Sequence, residues 1–305
     1  MKRVFTVTCS ALIIMGCQGS DADTDKAKRV GVNSECLTSP SPPPVKLAAQ
    51  TDFQLGSPEG GYPEEAPRLA SFPAFDIDAT EVTNAQFAKF VQETGYITTA
   101  EKPHIASGQP AGGAVFKPPR AGQAGWWQFI AGAHWRAPEG PNSYIKGREQ
   151  DPVVQVSLAD AKAYAQWAGR AIPNEAQWEY AARAGVRTPY MWGSEDKQDV
   201  STKAANIWQG AFPLENTGED GFVGRAPIGC YPSNAYGLYD MIGNVWEWTL
   251  TPFELSPSKI DYAIKGGSFL CAPNYCVRYR APARQPHEQD FSTNHIGFRL
   301  SLIHI

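Results

Sequence analysis

Helical periodicity stops at Gly185, and that boundary limits what this 305-residue chain can fold into. Before it lie three segments with helix start signals. Thr83-Asn84-Ala85-Gln86 forms a capping box, after which Phe87, Phe90 and Val91 share one helical face. Ser157 to Asp160 opens a second helix that Gly169 suits as a left-handed cap, and Pro173-Asn174-Glu175 opens a third that Gly185 closes. After Gly185, short runs such as Tyr262-Ala263-Ile264 and Ile296-Gly297-Phe298-Arg299-Leu300 read as strands between loops. With 28 Gly, 25 Pro and nine Trp, the chain is built for turns around aromatic contacts. The expectation is an α+β class, low in regular secondary structure, in a single domain over residues 51–305.

The N-terminus has a different composition. Lys2 and Arg3 precede the apolar run Val4 to Met15, which is shorter than the ~20 residues of a membrane-spanning helix. It ends in Ile14-Met15-Gly16-Cys17, so residues 1–17 read as an export signal of lipoprotein type with Cys17 acylated; an ordinary secretory signal cleaved nearby is the alternative. Gln18 after the cysteine points to outer-membrane anchorage facing the periplasm. Residues 18–50 are polar, then Pro-rich, with too little apolar surface to offset their ordering entropy, and are expected to be a disordered tether. Cys36 lies within this stretch, either as an exposed thiol or bonded to Cys230.

Several chemistries lack the residues they need. The five histidines are scattered without a pair at metal-ligand spacing, and no Walker loop, dinucleotide fingerprint or nucleophile elbow is present. A net charge of −4 without a basic aromatic-interleaved stripe excludes nucleic acid as the expected partner. Two features remain. Cys271 and Cys276, five positions apart, can form a disulfide, bind a soft metal or supply a nucleophile; in an exported chain, spacing and compartment alone favour the disulfide. The runs Asn206-Ile207 with Asp220-Gly221-Phe222, and Asp240 to Glu247, offer mixed oxygen donors suited to Ca²⁺, although Asp and Asn in Gly-rich loops more often bond their own backbone.

From Phe75 to Leu300 the chain resembles the formylglycine-generating enzyme (sulfatase-modifying factor) family. The segments that carry the resemblance are FDIDATEVTNAQFAKFVQETGY, WRAPEGPNS, DPVVQVSLADAKAYAQWAGRAIPNEAQWEYAARAG, ANIWQGAFPLENTGEDGF, YGLYDMIGNVWEWT, KGGSFLCAPNYCVRYR and HIGFR, in order. The resemblance implies a single domain related to C-type lectins, and an oxidase that uses O2 to convert a cysteine in a sulfatase Cys-x-Pro-x-Arg segment to Cα-formylglycine. It implies that Cys271 and Cys276 ligate Cu(I), with Ser268 and Trp246 beside them as active-site residues. Tyr275, Arg280 and His295 would meet the client peptide, Arg280 having the alternative of a structural ion pair. Calcium would be held by Asn206, Asp220 and the carbonyls of Ile207 and Phe222, and a second ion by Asp240, Glu247 and the carbonyls of Gly243 and Val245. A monomer is expected.

The chain departs from the family pattern where Ala272 follows the first cysteine and where His295 occupies a usual asparagine position. Both departures bear on peptide specificity. Two further readings stay open at this level: an enzyme of the same superfamily acting on another thiol, and a non-catalytic lectin-like lipoprotein in which Cys271 and Cys276 form a structural disulfide.

Overall fold

The computed structural model describes residues 36–37, 42–57, 61–104, 108–119, 125–194, 201, 203–256 and 259–303. The lipidation position Cys17 and, of the expected tether, residues 18–35 and 38–41 lie outside the described residues.

The three helices form where their caps predict. Helix α1 (Asn84–Thr94) starts at Thr83, whose hydroxyl accepts from the Gln86 N–H while Gln86 reaches back, and ends at Gly95. Helix α2 (Leu158–Trp167) has the same reciprocal cap between Ser157 and Asp160. Helix α3 (Glu175–Arg183) begins after Asn174 and is closed one residue earlier than expected, at Ala184, which already takes the left-handed conformation with φ 45°.

The described residues also form eleven strands: β1 (Val45–Leu47), β2 (Gln50–Leu55), β3 (Arg68–Phe72), β4 (Phe75–Ile77), β5 (Gly112–Phe116), β6 (Trp127–Ala131), β7 (Trp246–Ser256), β8 (Lys259–Lys265), β9 (Arg284–Glu288), β10 (Ile296–Gly297) and β11 (Ser301–Ile303). They build a sheet in the order β1-β4-β11, a second in the order β10-β7-β8-β9, and the hairpins β2-β3 and β5-β6. The class is mixed α and β in one domain. Two expectations change. Strand β1 falls inside residues 18–50 and pairs with β4 (Val45 opposite Ile77), so ordered structure reaches back into the end of the expected tether. The expected strand 296–300 is split: Ile296-Gly297 runs parallel to β7, whereas Ser301–Ile303 pairs with β4. Between them Phe298 and Leu300 accept main-chain bonds from Val82 and Asp78, and the chain changes sheets.

One core packs α1 against α2, with Phe87, Phe90, Trp135, Tyr164 and Phe298 in edge and stacked contacts. A second lies between β4 and α3 around Phe75, Ile77 and Trp178. Buried charge joins the pieces. Lys265, at the end of β8, reaches Glu179 at 3.0 Å and Glu175 at 3.5 Å on α3. Of the two fates open to Cys36, the structure has the disulfide, bonding it to Cys230 across 194 residues of sequence, with the Leu37 N–H donated to the Gly229 carbonyl.

Candidate active site

Strand β8 is followed by Gly266-Gly267, and both residues are left-handed (φ 94° and 77°). Gly267 passes so close to the next arm of the loop that a Cβ there would sit 2.8 Å from the Tyr279 Cα. This turn delivers Ser268, whose carbonyl accepts from the Cys271 N–H at 2.8 Å, while the Ala272 carbonyl accepts from the Cys276 N–H at 3.1 Å. Two successive tight turns therefore fold the segment back on itself. They bring the Cys271 and Cys276 Sγ atoms to 3.5 Å as free thiols, unlike the disulfide that spacing alone favoured.

Cys271 is buried in the main core and Cys276 is half-buried. Both line a cleft of about 840 Å³ together with Ser268, Trp246, Tyr275 and His295. Burial pushes the Cys271 thiol well above its ordinary pKa. The hydrogen bond from Cys271 lowers Cys276 to about 6 against the opposing effect of burial, with help from the Arg278 N–H and guanidinium. At neutral pH the pair is a thiol donating to a thiolate.

The cleft walls are aromatic. Tyr275 is stacked on Phe212 with ring centroids 4.3 Å apart, and Trp126 stands perpendicular to Tyr275 at 5.6 Å. His295 lies 4.7 Å from the Trp127 ring and its Nδ1 is 2.6 Å from the Thr293 hydroxyl. Burial, then His287 and Arg225, hold His295 well below the usual imidazole range, so it is neutral at pH 7.

Two sequence expectations change here. Arg280 does not line this cleft; it is buried, pairs with Glu65 at 2.7 Å and donates to the Val277 carbonyl at 2.6 Å, so its role is the structural ion pair. Ala272, beside Cys271 in sequence, is fully buried among Phe116, Trp208, Phe269 and Leu270 and cannot touch a client. The residue that sequence reasoning missed is Arg278. It lines the cleft, bonds Glu64 at 2.6 Å and stacks on Tyr62 at 3.5 Å. The available signal was the spacing: Arg278 stands two positions after Cys276, so in a short extended stretch it shares the thiol's side.

Among the described residues no group of three His, Cys, Asp or Glu is arranged to hold a metal ion. A soft ion between the two sulfurs would have these two protein donors and open coordination toward the cleft, which fits the chemistry of Cu(I). The first calcium set also converges. Asp220 accepts from the Ile207 and Phe222 N–H groups and from the Gln209 amide, which also donates to the Ile207 carbonyl; burial raises the Asp220 pKa to about 7, and among the described residues no cationic side chain pairs with it. Asn206 gives its amide N–H to the Gly224 carbonyl and to Asn244, leaving its Oδ1 buried and without a partner. A buried carboxylate without a counter-ion beside an orphaned oxygen suits a hard cation. In the second set, Asp240 accepts from the Gly229 N–H and Gly243 bridges to Asn206. Glu247, however, is committed elsewhere: both its oxygens are taken by Arg299 at 2.7 Å, and one also by the Trp178 indole at 2.7 Å. An ion in that set would have to share the Glu247 carboxylate with Arg299 and Trp178.

The family described as sulfatase-modifying factor enzyme 1-like domain matches residues 42–302. The chain is 46% identical over 281 residues to the formylglycine-generating enzyme of Mycobacterium tuberculosis, covering 81% of this chain and 93% of that protein. It is 40% identical over 313 residues to the Bos taurus formylglycine-generating enzyme (95% of this chain, 83% of that protein), and 35% identical to the Bos taurus inactive C-alpha-formylglycine-generating enzyme 2 (81% and 84%). Among solved structures, PvdO from Pseudomonas aeruginosa superposes with a TM-score of 0.63 at 24% identity, over 86% of this chain and 94% of that one, which shows the shared fold. The chain belongs to the sulfatase-modifying factor family of formylglycine-generating enzymes.

Proposed function

We propose that this protein oxidises the cysteine of a Cys-x-Pro-x-Arg segment in a sulfatase polypeptide to Cα-formylglycine, using O2 and Cu(I) held by Cys271 and Cys276. The observation that carries this is the pair of free thiols 3.5 Å apart on the floor of an aromatic cleft. The relatives support it: those named as formylglycine-generating enzymes match at 40–46% identity, above the 35% and 36% of two named inactive. Free thiols also weigh against the lectin-like reading, which needs a disulfide there.

Bound between the sulfurs, Cu(I) supplies one-electron chemistry with O2. The chain's own residues do the rest. Cys271, fixed in the core, sets the position of Cys276 at the cleft, and the neutral His295 and the Arg278 guanidinium offer polar contacts to the client. Trp246 and the Tyr275–Phe212 stack keep water from the client thiol. The conversion takes two electrons and two protons from the client Cβ–SH; water then adds to the thioaldehyde and sulfur leaves as hydrogen sulfide. Reducing O2 to water takes four electrons, so a thiol reductant supplies the other two.

Calcium at Asn206, Ile207, Asp220 and Phe222 would tie two irregular loops together. Export as a lipoprotein anchored through Cys17 and facing the periplasm agrees with the Cys36–Cys230 disulfide, which suits an oxidising compartment.

The test is to load reduced protein with Cu(I), add a Cys-x-Pro-x-Arg peptide in air, and follow the thiol-to-aldehyde mass change. Conversion that is lost in Cys271→Ser and Cys276→Ser is expected. An unmodified peptide with copper verified as bound would sink the proposal in favour of another thiol substrate.

A further inference from the structure

Among the described residues, strand β6 pairs on one edge only. The Lys117 N–H donates to the Trp126 carbonyl at 2.7 Å, and the Gly132 N–H to the Ala111 carbonyl at 2.9 Å. These two bonds fix the phase of the β5-β6 ladder. With Val115 opposite Gln128 and Gly113 opposite Ile130, the main-chain groups of Gln128 and Ile130 face β5, and those of Trp127 and Phe129 face outward. On the far side of β5 the corresponding groups are used: Ala114 donates to the Ser292 carbonyl, accepts from the Asn294 N–H, and Phe116 donates to the Asn294 side chain. Among the described residues, no hydrogen bond engages the outward N–H and C=O groups of Trp127 and Phe129.

That edge borders the cleft of the two thiols. A strand that shows a cleft its face contributes alternate residues, as β5 does with Ala114 and Phe116. Strand β6 contributes Gln128 and Phe129 in direct succession after Trp126 and Trp127, as an edge does. The edge starts at the aromatic wall that includes Tyr275, the neighbour of Cys276, and passes His295 at Trp127. Strand β9, the outer strand of its sheet, also lines the cleft but has Pro286 at its centre, which has no N–H to offer, and its Glu288 carbonyl already accepts from Phe291.

We infer that the unpaired edge of β6 takes up the client as an added strand: an extended, thiol-bearing peptide segment forms main-chain hydrogen bonds with Trp127 and Phe129, and so carries its cysteine to Cys276. This rests on the oxidase reading for the identity of the client. Main-chain pairing gives affinity with little dependence on side chains, and it requires an unfolded, extended client. It also fixes a phase. A proline cannot donate to β6, so in Cys-x-Pro-x-Arg the Cys, Pro and Arg residues share the parity that points N–H away from β6, and the two intervening residues supply the donors.

The test uses the whole protein and a fluorescent Cys-x-Pro-x-Arg peptide whose residues are N-methylated one at a time, with affinity read by anisotropy. Methylation at either intervening residue should weaken binding about tenfold, the factor expected for one lost main-chain hydrogen bond whose partner is left unpaired, and methylation at the Cys or Arg should be nearly neutral. In parallel, residue-resolved amide exchange should show peptide-dependent protection at Trp127 and Phe129 but not at Gln128 or Ile130, which are already bonded. A flat methylation profile, or no protection at Trp127 and Phe129 with peptide bound, overturns the inference. A flat profile with a peptide that is still converted to the aldehyde removes strand addition alone. Alternating binding without conversion supports strand addition and removes the oxidase reading.

Discussion

Replacing Gly267 by alanine measures how tightly the thiol loop is held. The residue is left-handed at φ 77°, and an added Cβ would meet the Tyr279 Cα at 2.8 Å and its N and Cβ at 3.0 Å. Two costs follow. An L-residue in this region costs about 1–2 kcal/mol, and forcing a methyl group against backbone that cannot swing away adds about 1–3 kcal/mol. Gly95 is the control: it is left-handed at φ 67°, with nothing within 4 Å of its added Cβ, so Gly95→Ala should show the first cost alone. At about 2–4 °C per kcal/mol for a domain of this size, calorimetric melting should place Gly95→Ala roughly 2–8 °C below wild type and Gly267→Ala roughly 4–20 °C below. Because the clash is relieved by moving Ser268 or Tyr279, peptide conversion measured well below both melting points should fall in Gly267→Ala and stay unchanged in Gly95→Ala. Equal melting temperatures for the two variants would refute the reasoning, since close approach to Tyr279 would then not be what this glycine serves.

Further expectations separate structural from functional residues. Arg280→Ala leaves Glu65 buried without its partner and should cost about 3–5 kcal/mol in urea unfolding, while Arg278→Ala should cost less than about 1 kcal/mol and weaken peptide binding. For Glu175, burial works to raise the pKa, but Lys265, Arg284 and Arg68 outweigh it and hold the carboxyl below its ordinary value. A depressed folded pKa gives stability that is present above the unfolded value and lost as pH falls through the folded one. The stability gap between wild type and Glu175→Gln should therefore be full at pH 7 and close only below about pH 4. Chelation of calcium from protein prepared with it should lower the melting temperature; Asp220→Asn should melt alike with and without chelator, and a persistent difference would count against the first calcium set.

The sequence made legible whatever is contiguous in it. Short local start signals located all three helices, each of which proves to begin in a capping box, and the thiol pair was visible because its loop is short enough for local turns to close it. What stayed hidden depends on contacts between distant segments. Arg280 was placed at the client by its position in the RYR run, and only the fold brings Glu65, far back in the chain, against it. Glu247 reads as a calcium ligand from the sequence, and only the fold shows that Arg299 and Trp178, distant in the chain, also bond its oxygens. Ala272 and Arg278 exchanged significance for a related reason: the turn after Cys271 sends Ala272 into the core, and the extended stretch after Cys276 brings Arg278 back to the cleft.

The segment from Gly266 to Tyr279 carries both thiols but no helix and no strand, so its geometry has to be imposed from its ends. Lys265 precedes it and is fully buried between Glu175 and Glu179; Arg280 follows it and is buried against Glu65. Buried ion pairs of this kind add little net stability, because desolvating the charges offsets most of their attraction. They do penalise any shift that separates the partners, since each displaced charge would be left in a medium that cannot solvate it. Packing alone would hold such a loop with non-directional contacts that tolerate sliding. Two ion pairs anchored to a helix and to a distant segment of the chain do not tolerate it, and this explains how a fold with so little regular structure keeps two sulfurs at a fixed distance beneath an open cleft.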